Sequence, residues 1–197
     1  MYNRINSKSL MFIAIMASLG NVLSFITMQL TPIAPNIPLG PVTVSIALDI
    51  SHLTTFIAAI YGGPVIGAIT GAVGGLVAAF QFGFSQGNIV TGIGLPVGKA
   101  LTGLTAGYVF NWFKESRYPN IISAVVSYIP EAILTYVLFK YLLPVTTGIP
   151  VGIAVAISIQ IIVKAMIEMV ILGVMLTGLT GNASFRGYTE GYFGKDQ

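Results

Sequence analysis

Apolar positions fall in six long runs, at roughly Leu10–Leu30, Val42–Tyr61, Pro64–Phe84, Ile89–Phe113, Asn120–Leu143 and Pro150–Leu179. Each is near or above the ~20 residues that a helix needs to cross the hydrocarbon of a bilayer. The breaks between them are short and rich in Pro and Gly: TPIAPNIPLGP, YGGP, QFGFSQGN, KESRYPN and LPVTTGIP. No run shows the alternating ten-residue pattern of an outer-membrane barrel strand. The pattern predicts an all-α integral membrane protein, a single bundle of six transmembrane helices over residues 10–180. Short tails at 1–9 and 181–197 flank the bundle. The first run is too long, and lacks the small-residue cleavage site, for a removed signal peptide.

Composition agrees. The chain is 55% hydrophobic and 8% charged, against about 25% charged in a typical soluble domain, and its mean hydropathy is +0.88. It has no cysteine, which excludes disulfides, thiolate nucleophiles and cysteine-based metal sites. The net charge of +3 is no sign of nucleic-acid binding; its distribution matters more. Arg4, Lys8, Lys114, Arg117, Arg186 and Lys195 all fall on the side of the termini, and the loops around 31–41, 85–88 and 144–149 hold no Lys or Arg. This positive-inside asymmetry predicts cytoplasmic termini. Lys140, near the opposite end of the fifth run, reads as a snorkelling anchor.

Within the runs, ionisable side chains are few. Lys99, Glu131 and Lys164 fall near the bilayer midplane, and Glu168 lies one turn beyond Lys164. A charge there costs at least ~2.5–3.5 kcal/mol, so each must face protein or water and find a partner. Gln160, Lys164 and Glu168, spaced by four, form one polar stripe on the last helix, and Glu131 and Thr135 share a face of the fifth. Two readings stand: internal glue, with Lys164 paired to Glu168 and Lys99 to Glu131, or a polar ligand pocket between the fourth, fifth and sixth helices. Asp49 and His52 read as helix-end capping or local hydrogen bonding. With one histidine in the chain, no metal site is predicted. Gly67, Gly71 and Gly75 make a small-residue face suited to close helix packing. No nucleophile elbow, phosphate loop or zinc-protease helix appears, so no enzyme activity and no cofactor are predicted.

The stretch ALDISHLTTFIAAIYGGPVIGAITG, residues 47–71, resembles the second and third spans of riboflavin-type S components, the substrate-binding subunits of energy-coupling factor (ECF) vitamin transporters. The resemblance rests on Asp49, Ser51, Gly63, Pro64 and Gly67; Thr54 stands near the place of a proline common in the family. The family's first span carries small residues at spacing four, here Ala14 and Ser18. The resemblance implies a cell-membrane, multi-pass subunit that captures a vitamin, riboflavin or a related molecule, from outside. The pocket would lie in the outer halves of spans four to six, closed by the loop between spans one and two. Ala14 and Ser18 would dock on an ECF transmembrane coupling subunit driven by two ATPase subunits, and the S component would topple in the lipid bilayer to release its ligand. Ligand contacts would then be Lys99, Glu131, Thr135, Gln160 and Lys164, with Glu168 orienting Lys164 and with Asn88, Thr91 and Gln86 at the mouth. The alternative reading is a stand-alone proton-coupled secondary transporter, its buried carboxylates carrying protons.

Overall fold

The structure is a computed structural model that describes residues 6–39, 42–45 and 47–193. Arg4 and Lys195, counted in the charge asymmetry, and Gly40 and Pro41 of the first loop lie outside the described residues. Helix α1 (Ser7–Leu30) starts where the Asn6 side chain accepts the Ser9 N–H at 2.8 Å, satisfying one of the free donors of a helix start. Its 24 residues reach about 36 Å, enough to cross. Phe12, Ile13, Ala17 and Gly20 are buried, whereas Met11, Ile15, Leu19 and Val22 are exposed. A helix apolar on both sides, with one side unpacked, is a helix against lipid.

The second predicted helix requires correction. Val42–Tyr61 is not continuous: strands β1 (Asn36–Leu39) and β2 (Val42–Ser45) form an antiparallel hairpin, and an irregular stretch leads to α2 (His52–Gly62). The run Val42-Thr43-Val44 is β-branched, which suits a strand better than a helix, and hydropathy does not register that preference. Helix α2 has 11 residues, about 16 Å. Every residue from His52 to Ala59 is buried, so its uniform apolarity reflects protein on all sides.

Five stretches among the described residues are long and apolar enough to cross a membrane: Ser7–Leu30, Pro64–Gln86, Ile89–Phe113, Pro119–Thr147 and Val151–Gly181. The second of these comprises α3 (Pro64–Gly74), α4 (Leu76–Phe82) and a 3₁₀ turn. Helix α5 covers Ile89–Phe113. The fourth stretch comprises α6 (Pro119–Ser127), α7 (Ile129–Val137), a π-helical turn at Leu138–Leu142 and α8 (Leu143–Thr147); Pro130 lacks the N–H to continue α6. Helix α9 (Val151–Gly181) is the longest, and α10 (Ala183–Phe193) folds back. The Tyr192 hydroxyl donates to the Lys8 carbonyl at 3.0 Å, which places both ends of the described chain together.

Gly63, at φ +90°, makes the sharp turn from α2 to Pro64, a backbone conformation that glycine adopts without strain. Gly67 and Gly71 then let α3 lie against α5: a Cβ on Gly71 would run into the backbone carbonyl of Lys99, and one on Gly103 into that of Gly67. This is the close approach expected of a small-residue face, and it pins the backbone that carries Lys99. Gly71→Val is therefore expected to abolish assembly of the fold, read as loss of a monodisperse peak in detergent. Because backbone, not a flexible side chain, stands in the way, no rotamer change relieves the clash. Beyond α3 the helix breaks at Gly75, and Asn21 of α1 repairs the break. Its side chain donates to the Val73 carbonyl at 2.9 Å and accepts the Val77 N–H at 3.0 Å, so neither freed backbone group is left unpaired in lipid.

Two apolar clusters result. The larger, around Phe56, Met169, Leu172 and Leu176, fills the end near the termini; the smaller, Val90, Phe139, Leu143 and Ala154, fills the opposite end.

Candidate ligand-binding site

A cavity of about 390 Å³ lies between α2, α4, α5, α7 and α9, within the range of small-molecule sites. It starts in the first turn of α5, at Val90 and Thr91, and extends to Lys99, about 15 Å along that helix from Ile89. It thus occupies the half of the molecule away from the termini. The walls are apolar and aromatic: Phe82, Leu95, Leu138, Phe139, Ile157 and Ile161. Asp49, His52, Lys99, Glu131, Lys164 and Glu168, with Thr91, Tyr128 and Thr135, form the polar surface.

Three linked contacts hold the first six of these. The Lys164 ammonium meets Glu168 Oε1 at 2.9 Å, and the Asp49 backbone N–H donates to the same oxygen at 2.8 Å. Lys99, 3% exposed, donates to the Ser51 hydroxyl and lies 3.8 Å from Asp49 Oδ2. Glu131, 6% exposed, accepts from the Thr102 hydroxyl at 2.5 Å, and its Oε2 faces His52 Nε2 at 3.3 Å. Charges this buried persist only when paired and hydrogen-bonded. The side chain of Lys164 is 28% exposed, more open than its partner.

The expected Lys164–Glu168 pair is present. The expected Lys99–Glu131 pair is not, because the start of α2 supplies each with another partner, Ser51 and Asp49 for Lys99 and His52 for Glu131. Lys99, Glu131, Thr135, Lys164 and Glu168 all line the cavity, as does Thr91. Gln160 does not; the lining face of α9 runs through Ile157, Ile161, Lys164, Ala165 and Glu168. Asn88 caps α5, accepting the N–H groups of Val90 and Thr91 at 3.1 and 3.2 Å, and Gln86 turns back to the Gln81 carbonyl. Asp49 accepts the Ser51 N–H at 2.9 Å, the local bond expected of it, yet it and His52 also line the cavity. A sequence signal for both existed: an ionisable group in an apolar run marks a site by default. Among the described residues no group of three His, Asp or Glu is arranged to hold a metal ion. Ala14 and Ser18 lie exposed on α1 and do not line the cavity.

A sequence model of one family, the ECF transporter substrate-specific component, matches residues 8–180. The chain belongs to that family. It is therefore a multi-pass membrane protein and the substrate-binding subunit of an ECF transporter. The fold of this S component is similar to that of a solved structure described as "Structure and mechanism of the S component of a bacterial ECF transporter", at a TM-score of 0.54 and 24% identity. The match covers 88% of this chain and 96% of that one. No curated protein matches the sequence.

Proposed function

We propose that this S component captures a small polar heteroaromatic molecule of the vitamin class, with riboflavin the first candidate, from outside the cell. It passes the ligand inward together with an ECF coupling subunit and two ATPase subunits. The observation that carries this reading is the cavity: aromatic and branched walls around a hydrogen-bonded ionic floor, in the half of the molecule away from the termini. Flat apolar rings suit such walls, and a polar ring edge suits the floor. The hairpin β1–β2 leads directly into Asp49 on that floor and lies against α9, as a lid between the first two membrane segments would. Ala14 and Ser18 form the surface for the coupling subunit.

In this reading α2 makes the sixth crossing, and the termini are cytoplasmic. Lys8, Lys114, Arg117 and Arg186 fall at or beyond the helix ends on the terminal side, as positive-inside charge requires. Cysteine introduced by Thr147→Cys is expected to react with an impermeant reagent in intact cells, and by Ser116→Cys to stay protected. The reverse labelling would invert the orientation.

The ligand is tested by purifying the protein in detergent and recording the spectrum and mass of whatever small molecule accompanies it. Flavin absorbance, or nanomolar to micromolar quenching of added riboflavin fluorescence, is the expected result. Absence of both rejects riboflavin and leaves the vitamin class to the mass spectrum.

A further inference from the structure

The ionic floor bears on the charge of the ligand. Three carboxylates, Asp49, Glu131 and Glu168, meet two ammonium groups, Lys99 and Lys164, and one imidazole, His52. With a neutral imidazole the site sums to one negative charge, and with an imidazolium to zero. In neither state is it positive. Both ammonium groups are already engaged, Lys164 by Glu168 and Lys99 by Ser51 and Asp49. An anion recruited by Lys164 would share the ammonium with Glu168 Oε1, 2.9 Å from it, and so would be held beside a buried like charge, which opposes its binding.

Acceptors, in contrast, are in surplus. Glu131 Oε2 takes Thr102 and His52, and Glu168 Oε1 takes Lys164 and the Asp49 N–H. Among the described residues no hydrogen bond reaches Glu131 Oε1 or Glu168 Oε2. From this arrangement we infer that the cavity selects a neutral or singly cationic nitrogen heterocycle that presents N–H donors to Glu131 and Glu168, and rejects carboxylate- or phosphate-bearing ligands. The inference rests on the cavity being the ligand site.

Neutral and anionic relatives of one ring system decide it. Binding to the full-length protein in detergent is measured for riboflavin against its 5′-phosphate, for pyridoxine against its phosphate, and for nicotinamide against nicotinate. The compound extracted with the protein is identified alongside. The expected result is a neutral or cationic extracted compound. Within any pair that binds, the anion should be weaker by roughly a hundredfold, the effect of a unit charge about 6 Å from one like charge at an effective dielectric near 20. Glu168→Gln and Glu131→Gln, which keep shape and remove one negative charge, should each narrow that gap. An anionic extracted compound, or a pair whose anionic member binds as well as its neutral one, overturns the inference. Failure of the site reading looks different: both Gln variants would then leave affinity and the neutral preference unchanged. Failure of riboflavin alone is different again, a neutral extracted compound with no flavin binding, and it upholds the charge selection.

Discussion

The double substitution Ala14→Trp with Ser18→Trp is expected to reduce uptake to background while the isolated protein keeps its ligand. Both residues lie on the exposed side of α1, and the core side of that helix is carried by Phe12, Ile13, Ala17 and Gly20. Two indoles there point into lipid and disturb no packing within the subunit. Around the pair stand Met11, Ile15, Leu19 and Val22, each about half exposed, so Ala14 and Ser18 form a shallow strip where a partner helix can come close. Lipid tails are as apolar as these side chains, so close van der Waals fit drives such association, and two large rings remove it. The measurement has two parts: co-purification with the coupling subunit, expected to be lost, and retention of the co-purified small molecule, expected to be unchanged. Loss of the small molecule with assembly intact would put this side of α1 on the ligand path.

The outline of the bundle was readable from length and apolarity, because a span facing lipid has no other way to be built. The second run misled because a helix buried in protein and a strand of β-branched residues are both apolar. Lys164 and Glu168 were readable as a pair because spacing of four fixes their contact on one helix. Lys99 and Glu131 were not, since helical spacing says which residues share a face and nothing about which helices meet. The partners they took, Ser51, Asp49 and His52, come from the start of α2, which the pattern had placed inside one continuous helix over Val42–Tyr61. Gln160 fell off the site by geometry: each step of four advances about 40° around the helix. Two steps separate it from Glu168 by about 80°, enough to turn it from the cavity. Asn88 carried a helix-start signature ahead of Ile89 that outweighs a ligand role.

Lys164→Met separates binding from folding on the remaining stripe. Lys164 is the more open member of its pair, with a side chain 28% exposed against 7% for Glu168, so its ammonium is the group that a ligand can reach. Loss of one charge-assisted hydrogen bond, about 1.5–3 kcal/mol, corresponds to roughly ten- to a hundredfold in affinity. Some stability is lost as well, because Glu168 then keeps only the Asp49 N–H, although Met fills similar space in an apolar setting. Glu168→Ala should show the opposite balance. It removes the acceptor of both Lys164 and the Asp49 N–H, and leaving buried donors unpaired costs about 1–3 kcal/mol, seen as earlier thermal unfolding. Glu168→Gln keeps a carbonyl oxygen for the Asp49 N–H and should fall between wild type and Glu168→Ala in stability. Ligand titration and thermal unfolding on the same three preparations check this ordering. If Lys164→Met instead binds as wild type and unfolds early, the pair serves to hold α9 against the start of α2, and the ligand is read by Glu131 and Thr135 on the facing helix.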